Sequence, residues 1–389
     1  MRRFGLYAGG FLGPFGGGII AVLIPQLRDE FDASTSEVTW GITAYLIPFA
    51  ALQLVSGTLG ERIGMARTVR SAYVAYAALS VLAAFAPDIG VFIAARALQG
   101  AANAFLTPLL LAAVAASSPA GTVGRTVGTF AAVQTAAIVA SPLIGGLAGE
   151  ISWRLAFLAP AVAALALAAL PLPGGRDGHA EPPRLRSALT ARVGWLSTAA
   201  FLGYLSTAGL TFLVALKAAD SFGLGSTERG ALVASFGLAG AVIGRWAGDF
   251  ADRRGRVTAA LVGAGGCAAA LPFLGIADSP TSLAAAWLSA GVGSAFVWAG
   301  INTMAVEAVP GNRAGATSVV SAFKFAGTAC APLLWLPLYH LDPEAAFVAA
   351  AFGCVALGAA VLRVRATSGP ARPGPAPTPS PRRPLGRPG

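Results

Sequence analysis

Charged side chains are scarce in this sequence. Asp, Glu, Lys and Arg make up only 11% of its 389 residues, whereas 56% are hydrophobic, and the mean hydropathy is +0.70. A soluble domain of this length cannot keep so much apolar surface away from water. The composition therefore excludes a soluble globular protein and predicts a polytopic membrane protein.

Cysteine and histidine are also rare, with three and two residues respectively. The cysteines, Cys267, Cys330 and Cys354, all lie within apolar segments, so they do not form an extracytoplasmic disulfide framework. His179 and His340 lie in or near loops, and the sequence contains neither a metal-ligand cluster nor a Gly-rich phosphate loop. These absences predict a protein that is not an enzyme, needs no metal or cofactor and does not hydrolyse ATP.

Long apolar runs predict an all-α protein with twelve membrane-crossing helices, because each crossing needs about 20 mostly apolar residues. The predicted spans are 4–24, 38–59, 68–86, 88–112, 123–147, 154–173, 193–217, 228–250, 257–276, 281–306, 313–338 and 343–362. The first run lacks a cleavage site before Pro25, so we expect it to be retained.

Glycines spaced four apart predict close helix contacts. Two such sets are Gly9, Gly13 and Gly17, and Gly240, Gly244 and Gly248.

The net charge of +10 is unevenly distributed along the chain. Most Lys and Arg fall in predicted loops on the side that holds both termini. The exceptions are Arg28, Arg154, Lys217 and Arg229 on the opposite side, and Arg96, Arg245 and Lys324 within spans. The positive-inside rule then predicts that both termini lie in the cytoplasm. We expect a multi-pass protein of a bacterial inner membrane. The basic excess marks topology, so we expect the lipid bilayer and a small molecule as partners, no nucleic acid, and a monomer.

A polar, Pro- and Gly-rich linker divides the chain into two halves. Residues 174–192 separate predicted six-helix bundles at 1–173 and 193–362, and the basic, Pro-rich tail at 363–389 is expected to be disordered. The halves repeat each other at one offset. The matches are FDASTSE at 31–37 with FGLGSTE at 222–228, GTLGERIG at 57–64 with GDFADRRG at 248–255, and Gly100 with Gly291. Such a repeat predicts two pseudo-symmetric bundles around a midplane cavity.

Two predicted cytoplasmic turns carry the strongest motif, Gly248-x-x-x-Asp252-Arg253-x-Gly255-Arg256 and its copy Gly57-x-x-x-Glu61-Arg62-x-Gly64. Together with the repeat, these turns resemble the loops after helices two and eight of the major facilitator superfamily. The segments RALQG at 96–100 and SPLIGG at 141–146 resemble helices four and five of that family. WRLAF at 153–157 and EVTWGITAYLIPFA at 37–50 resemble its twelve-span drug:proton antiporter branch. The resemblance covers residues 4–362.

The resemblance implies roles for individual residues. The turn residues would form cytoplasmic latches that hold an outward-open state; they are Gly57, Glu61, Arg62, Gly64, Gly248, Asp252, Arg253, Gly255 and Arg256. Arg96 and Gln99, beside Gly100, would line the cavity and take part in proton coupling. Pro142, Gly145 and Gly146 would shape the bend and packing of helix five. Because Glu61 replaces the usual aspartate, the first latch is expected to be the weaker one.

Lys324 stands inside the apolar run at 321–338, where a charge is costly. After a one-residue slip, which also aligns Pro142 with Pro332, the repeat pairs Lys324 with Gln134. This pairing predicts two polar side chains at matching depths across the cavity. We expect Lys324, with Arg96, to form a positive site for an anionic or polar, partly aromatic substrate; the alternative is a lysine that snorkels or binds a backbone carbonyl. Aromatic candidates for the pocket are Phe11, Phe15, Tyr45, Phe49, Phe130, Tyr204, Phe236, Phe296 and Trp298.

These features predict a secondary transporter that exports a small organic compound, a drug or metabolite, in exchange for protons, by rocking of its two halves. Proton carriers usually use a buried carboxylate. No Asp or Glu lies near the middle of any predicted span. That absence favours an alternative, an uptake carrier or uniporter for a polar or anionic metabolite. A non-transporting membrane sensor is a third hypothesis.

Overall fold

A computed structural model describes residues 2–119, 122–172 and 185–367, which are almost entirely α-helical. The first half contains α1 (Arg2–Gly18), α2 (Ile24–Phe31), α3 (Thr35–Ile63), α4 (Met65–Ala84), α5 (Ile89–Asn103), α6 (Leu106–Ala116), α7 (Val123–Ile151) and α8 (Leu155–Ala169). A short helix, α9 (Leu185–Ala188), precedes the second half. That half contains α10 (Ala191–Ser206), α11 (Thr211–Phe222), α12 (Ser226–Arg254), α13 (Arg256–Ile276), α14 (Pro280–Ala308), α15 (Arg313–Leu341) and α16 (Pro343–Thr367).

Ten helical segments in the described ranges are long and apolar enough to cross a membrane. The other two predicted spans coincide with α4 and α8. Helix α8 is apolar but has only 15 residues, and α4 carries Arg67 and Arg70 in its first two turns. The predicted all-α membrane class is confirmed, with ten candidate crossings in the described residues, and the predicted count of twelve stays a prediction.

Two glycines in the left-handed region of backbone space end equivalent helices. Gly64 ends α3 with a φ of +107°, and Gly255 ends α12 with a φ of +95°. Glycine tolerates these angles because it has no Cβ atom. The chain therefore passes from α3 to α4, and from α12 to α13, through a single residue, and the two repeated turns share one conformation.

The first crossing of each half is interrupted at equivalent positions of the repeat. A 3-10 turn at Ile19–Val22 separates α1 from α2, and another at Ala208–Leu210 separates α10 from α11. A 3-10 segment winds more tightly than an α-helix and so redirects the chain. Helix α11 then packs against α2 and the Ile19–Val22 turn, which brings the two halves together.

The buried apolar side chains form three clusters that show how the halves meet. We call the end of the bundle with the Gly64 and Gly255 turns the linker end, and the opposite end the far end. The largest cluster lies toward the far end and mixes the two halves, for example Leu27 with Leu216. The two smaller clusters lie toward the linker end, and the fully buried members of each come from one half. The halves are therefore joined at the far end and separate toward the linker end.

The two glycine sets behave differently because of this separation. A Cβ atom at Gly9 would overlap the hydroxyl oxygen of Tyr73, so the first set packs closely, as predicted. Around Gly240, Gly244 and Gly248, a Cβ atom would meet nothing within 4 Å. The predicted close contact of this second set is wrong for the present conformation, because α7 and α12 diverge toward the linker end.

Two helices extend past the predicted domain boundaries, which stay predictions. Helix α10 begins at Ala191, inside the predicted linker 174–192, because the Thr190 hydroxyl accepts a hydrogen bond from the Val193 amide at 3.2 Å and caps the helix. Helix α16 continues to Thr367, five residues into the predicted tail 363–389. Residue 173, most of the linker (174–184) and the tail beyond 367 lie outside the described residues.

Candidate functional site

Lys324 lies on α15 among aromatic rings. Its Nζ atom is 4.6 Å from the ring centroid of Phe325, 5.0 Å from that of Tyr204 and 5.9 Å from that of Trp298. The residue is half-buried and makes no hydrogen bond or ion pair with any other described residue. Cation–π contacts contribute roughly 0.5 to 2 kcal/mol each. The ammonium group is thus held by rings alone and is free to bind an anion.

A row of rings connects Lys324 to the first half of the protein. Phe325, the next residue on α15, packs edge-on against Phe49 of α3 with ring centroids 4.9 Å apart. Phe49 in turn stacks on Tyr45 at 6.2 Å. Because Phe49 belongs to one half and Phe325 to the other, Lys324 lies where the two halves meet.

Two buried oxygen atoms beside this row have no hydrogen-bond partner within the described ranges. One is Oγ1 of Thr328, four residues after Lys324, and the other is Oε1 of Gln53, four residues after Phe49. Residues four apart lie on the same side of a helix. Buried polar atoms are usually paired because leaving them unpaired is costly. Both oxygens can therefore receive a donor from a bound compound.

Arg96 is enclosed within the first half by neutral groups. Its Nη1 donates to Oε1 of Gln99, and its Nη2 donates to the carbonyl oxygen of Gly16 at 2.9 Å. Its guanidinium carbon lies 4.2 Å from the ring centroid of Tyr45. Gln99 completes the network by donating to Oγ of Ser80 at 2.5 Å. Side chains and carbonyls of α1, α3, α4 and α5 thus hold one positive charge without a carboxylate.

The prediction that Arg96 and Gln99 line a cavity is wrong for this conformation. Arg96 is 0% exposed and Gln99 is 1% exposed. The reason is the close contact of α5 with α3, since a Cβ atom at Gly100 would overlap the carbonyl oxygen of Tyr45. The charge of Arg96 nevertheless lies behind the ring row, separated from the Lys324 site by Tyr45 and Phe49.

The structure does not bring Gln134 to Lys324. Helix α7, which carries Gln134, packs mainly against α1 and α12, whereas α15 packs mainly against α10 and α3. Of the aromatic candidates, Tyr45, Phe49, Tyr204 and Trp298 belong to the site or its ring row. The others pack against other rings: Phe11 on Phe15 of the same helix, Phe130 against Tyr7, Phe236 on Trp287, and Phe296 against Phe250.

Pro142, Gly145 and Gly146 lie where the halves meet at the far end. A Cβ atom at Gly146 would overlap the carbonyl oxygen of Ser226, and one at Gly230 would overlap the carbonyl oxygen of Pro142. Gly145 packs against the 3-10 turn of the first half. These glycines let the backbones of α7 and α12 touch. The segment therefore forms part of the contact between the halves, and its predicted role in bending helix α7 stays a prediction.

Two charged side chains that no motif marks also join the halves at the far end. Glu150 accepts hydrogen bonds from Oγ of Ser226 at 2.9 Å and from the amide of Thr227 at 3.0 Å. Arg229 donates to the carbonyl oxygen of Val22 through Nε at 3.2 Å and Nη2 at 3.0 Å. Charges at the ends of spans are common, so the sequence pattern did not distinguish these two. Their distant partners become visible only in three dimensions.

The predicted latch residues lie at the linker end. Four of their side chains are exposed and make no hydrogen bond or ion pair within the described part of the chain: Glu61, Arg62, Asp252 and Arg253. Nη2 of Arg256 lies 2.8 Å from Oε1 of Glu307, in an ion pair that stays within the second half. The described latch side chains therefore do not join the halves in this conformation.

Sequence comparisons agree with the doubled architecture. The model of the Major Facilitator Superfamily matches residues 6–197 and again 196–388. The chain is 33% identical over 216 residues to the uncharacterized MFS-type transporter EfpA of Mycobacterium tuberculosis, a stretch covering 52% of this chain and 40% of that protein. It is 28% identical over 215 residues to the multidrug efflux pump LfrA of Mycolicibacterium smegmatis, covering 52% and 43%. The match thus spans less than half the length of either relative.

The same architecture occurs in solved structures. A bacterial homologue of the human lysosomal transporter Spinster, in an inward-facing and occupied conformation, superposes with a TM-score of 0.76 over 94% of this chain and 96% of that one, at 15% identity. At such low identity the likeness concerns the fold alone. With two tandem matches to the family model, a doubled helical fold and several apolar crossings, this multi-pass membrane protein belongs to the Major Facilitator Superfamily.

Proposed function

We propose that the protein is a secondary transporter that exports a small organic compound by alternating access. In this proposal twelve helices form two six-helix bundles, residues 1–173 and 193–362, that rock about the Lys324 site. The observation that carries the proposal is the half-buried Lys324, surrounded by rings where the halves meet. A charge at that depth is expensive and marks a functional site by default. The efflux pump LfrA among its relatives supports the outward direction.

The positive-inside rule supports assigning the linker end, with both termini, to the cytoplasmic side of a bacterial inner membrane. With this orientation, the contacts of Glu150 and Arg229 close the extracytoplasmic side. The divergence of α7 from α12 then opens the site toward the cytoplasm. A monomer suffices, because one chain supplies both faces of the site.

In the proposed cycle, the latch residues hold the halves together at the linker end in the outward-open conformation. Export requires the linker end to close while the far end opens. Glu61, Arg62, Asp252 and Arg253 are exposed and unpaired within the described residues, so they are free to form contacts when the linker end closes. Gly57 and Gly248 carry no Cβ atom to oppose that approach.

Exchange for protons stays a prediction of the sequence, and one observation favours the uniporter alternative. In the described helices, acidic side chains lie within about two turns of a helix end: Asp29, Glu30, Glu37, Glu61, Glu150, Asp220, Glu228, Asp249, Asp252, Glu307 and Glu344. A carboxylate at the depth of Lys324 is therefore absent from the described helices. A proton carrier of the usual kind requires one.

Inverted membrane vesicles test the export proposal. A panel of labelled organic compounds is supplied at the cytoplasmic face, with and without an uncoupler. We expect accumulation inside the vesicles with the wild-type protein and loss of accumulation with Lys324→Gln. Accumulation only in right-side-out vesicles would establish an uptake carrier instead. Binding without flux in either orientation would establish a non-transporting sensor.

A further inference from the structure

We infer that the Lys324 site takes a monovalent organic anion bearing an aromatic group, and that the charge of Lys324 allows the membrane potential to drive its export. The inference rests on the proposed export function and adds the substrate class and the driving force. It follows from the charges at the site, from the rings around them and from the net charge of the site with and without bound substrate.

The charges near the site have one sign. Lys324 is ringed by aromatic side chains and has no acidic partner among the described residues. The nearest second charge along the ring row is the guanidinium of Arg96, which lies against Tyr45 and is compensated only by neutral groups. A cationic compound would be repelled directly by Lys324 and, across Tyr45 and Phe49, by the enclosed Arg96, in a region of low dielectric constant where repulsion is strong. An anion would instead pair with Lys324.

The remaining walls fit an aromatic group with a polar substituent. Tyr204 and Trp298 pack edge to face with centroids 4.5 Å apart, and Phe49 and Phe325 do the same at 4.9 Å. Aromatic faces and edges favour stacked or edge-on contact with another ring. The unpaired Oγ1 of Thr328, one turn from Lys324, adds a polar group on the same side of α15.

The charge balance decides the driving force. When a monovalent anion pairs with Lys324, the site is neutral, and the loaded protein changes conformation without moving charge. When the protein returns without substrate, Lys324 carries one positive charge inward. A membrane potential that is negative inside favours that return. Each cycle moves one negative charge out, which supports an outward concentration ratio of about 50-fold per 100 mV.

This mechanism needs no proton carrier. An antiporter of the usual kind must load a proton on a carboxylate within the site. Here the potential acts on the lysine itself, so the absence of acids at that depth in the described helices agrees with the proposed cycle. A proton-coupled exporter of the usual kind would lack its proton-carrying carboxylate at that depth in the described helices.

Flux measurements in proteoliposomes test the inference. The probes are naphthalene-1-sulfonate, an aromatic anion that stays ionised, and N-methylquinolinium, a permanently charged aromatic cation. Valinomycin and potassium gradients set the membrane potential at equal pH on both sides. We expect flux of the sulfonate that increases several-fold when the potential favours anion movement, no response to a pH gradient, and no flux of the quinolinium.

Three variants complete the design. Lys324→Gln should abolish sulfonate flux and Lys324→Arg should retain it, because arginine keeps the charge. Arg245→Gln removes one positive charge from an exposed position in α12 and should leave the flux unchanged. Size-exclusion profiles and melting temperatures show that each variant is folded.

The outcomes separate this inference from the export proposal. Flux of the quinolinium alone, or sulfonate flux that follows the pH gradient and ignores the potential, would overturn the inference while leaving export intact. Potential-driven sulfonate flux that persists in Lys324→Gln would overturn the role of Lys324. Absence of flux for these probes and for a neutral aromatic panel would overturn the inference and the export proposal together.

Discussion

Gly146 of α7 lies directly against the backbone of Ser226 of α12, so closely that a Cβ atom at Gly146 would overlap the Ser226 carbonyl oxygen. The two residues belong to different halves of the protein. The neighbouring Glu150 accepts hydrogen bonds from Ser226 and Thr227 at the same place. Closure of the far end therefore depends on the backbone contact between Gly146 and Ser226.

Replacing Gly146 with valine should open the far end. The branched side chain has no space beside Ser226, so the halves must separate there. Ser226, which is 2% exposed, should become accessible. Labelling of Ser226→Cys with a membrane-impermeant maleimide, in a background without the native cysteines, measures this. We expect several-fold faster labelling with Gly146→Val.

Gly240→Ala is the matched control on α12, because a Cβ atom there meets nothing within 4 Å. It should leave the labelling rate at the wild-type value. Equal rates for Gly146→Val and Gly240→Ala would show that the Gly146 contact does not hold the far end closed.

Arg229→Lys should shift the conformational equilibrium toward an open far end. The guanidinium donates twice to the Val22 carbonyl and once to Oε1 of Gln26 at 2.9 Å. One ammonium group cannot reproduce this geometry. Hydrogen bonds to charged groups contribute about 1.5 to 3 kcal/mol each, so the loss of one or two changes the population about tenfold or more. Distances between spin labels at Asp29→Cys and Ser221→Cys report the opening, and an unchanged distance distribution would contradict the prediction.

Gly16 and Tyr76 should show coupled effects on stability. A Cβ atom at Gly16 would overlap the Tyr76 hydroxyl oxygen, which is buried and has no hydrogen-bond partner in the described structure. Gly16→Ala alone should destabilise the protein by about 1 to 3 kcal/mol. Tyr76→Phe alone should be nearly neutral, because it removes an unpaired group.

The double variant Gly16→Ala/Tyr76→Phe should recover most of the loss, since the overlapping oxygen is gone. Unfolding in detergent micelles measures all three variants, and we expect a coupling free energy of about 1 kcal/mol or more. Strictly additive effects would mean that the two groups do not collide.

Acid should weaken the link between α2 and the turn before α8. Hydrogen bonding from Arg154, and then from Trp153, lowers the pKa of Glu30 below its usual value of 4.5. Because the pKa is lower in the folded protein than in the unfolded chain, this stabilisation is complete above about pH 4.5. It is lost as the pH falls through the lowered pKa.

Melting temperatures between pH 6 and 3 test this link. Glu30→Gln should lower the melting temperature at pH 6 and make it less dependent on pH. The effect should stay below about 1 kcal/mol, because both partners are partly exposed. A wild-type and a Glu30→Gln profile of the same shape would contradict the assignment.

The fold followed from local features of the sequence. Apolar runs of sufficient length predicted helices, and the repeat paired the two turns that contain Gly64 and Gly255. The apolar runs and the turn motifs are each formed by residues that are close in sequence. The predicted count of crossings depended on α4 and α8, where two arginines and a short length weaken the apolar signal.

The site was less predictable because its contacts join distant segments. Arg96 was expected in a cavity, but the Gly16 carbonyl of α1 and the Tyr45 ring of α3 enclose it, and no spacing rule reports these contacts with other helices. Glu150 and Arg229 bind backbone groups of the opposite half, which carry no sequence signal. Lys324 was found from sequence because a charge inside an apolar run is costly wherever its partners lie.

Solute counterflow tests the central claim that Lys324 forms the substrate site between the halves. Proteoliposomes are loaded with an unlabelled compound that the vesicle panel identifies as a substrate, and the entry of labelled compound is followed. Counterflow requires binding and conformational exchange but no ion gradient, so the result does not depend on the driving force. We expect transient accumulation with the wild type and with Lys324→Arg, and none with folded Lys324→Gln. Equal accumulation with Lys324→Gln would contradict the claim.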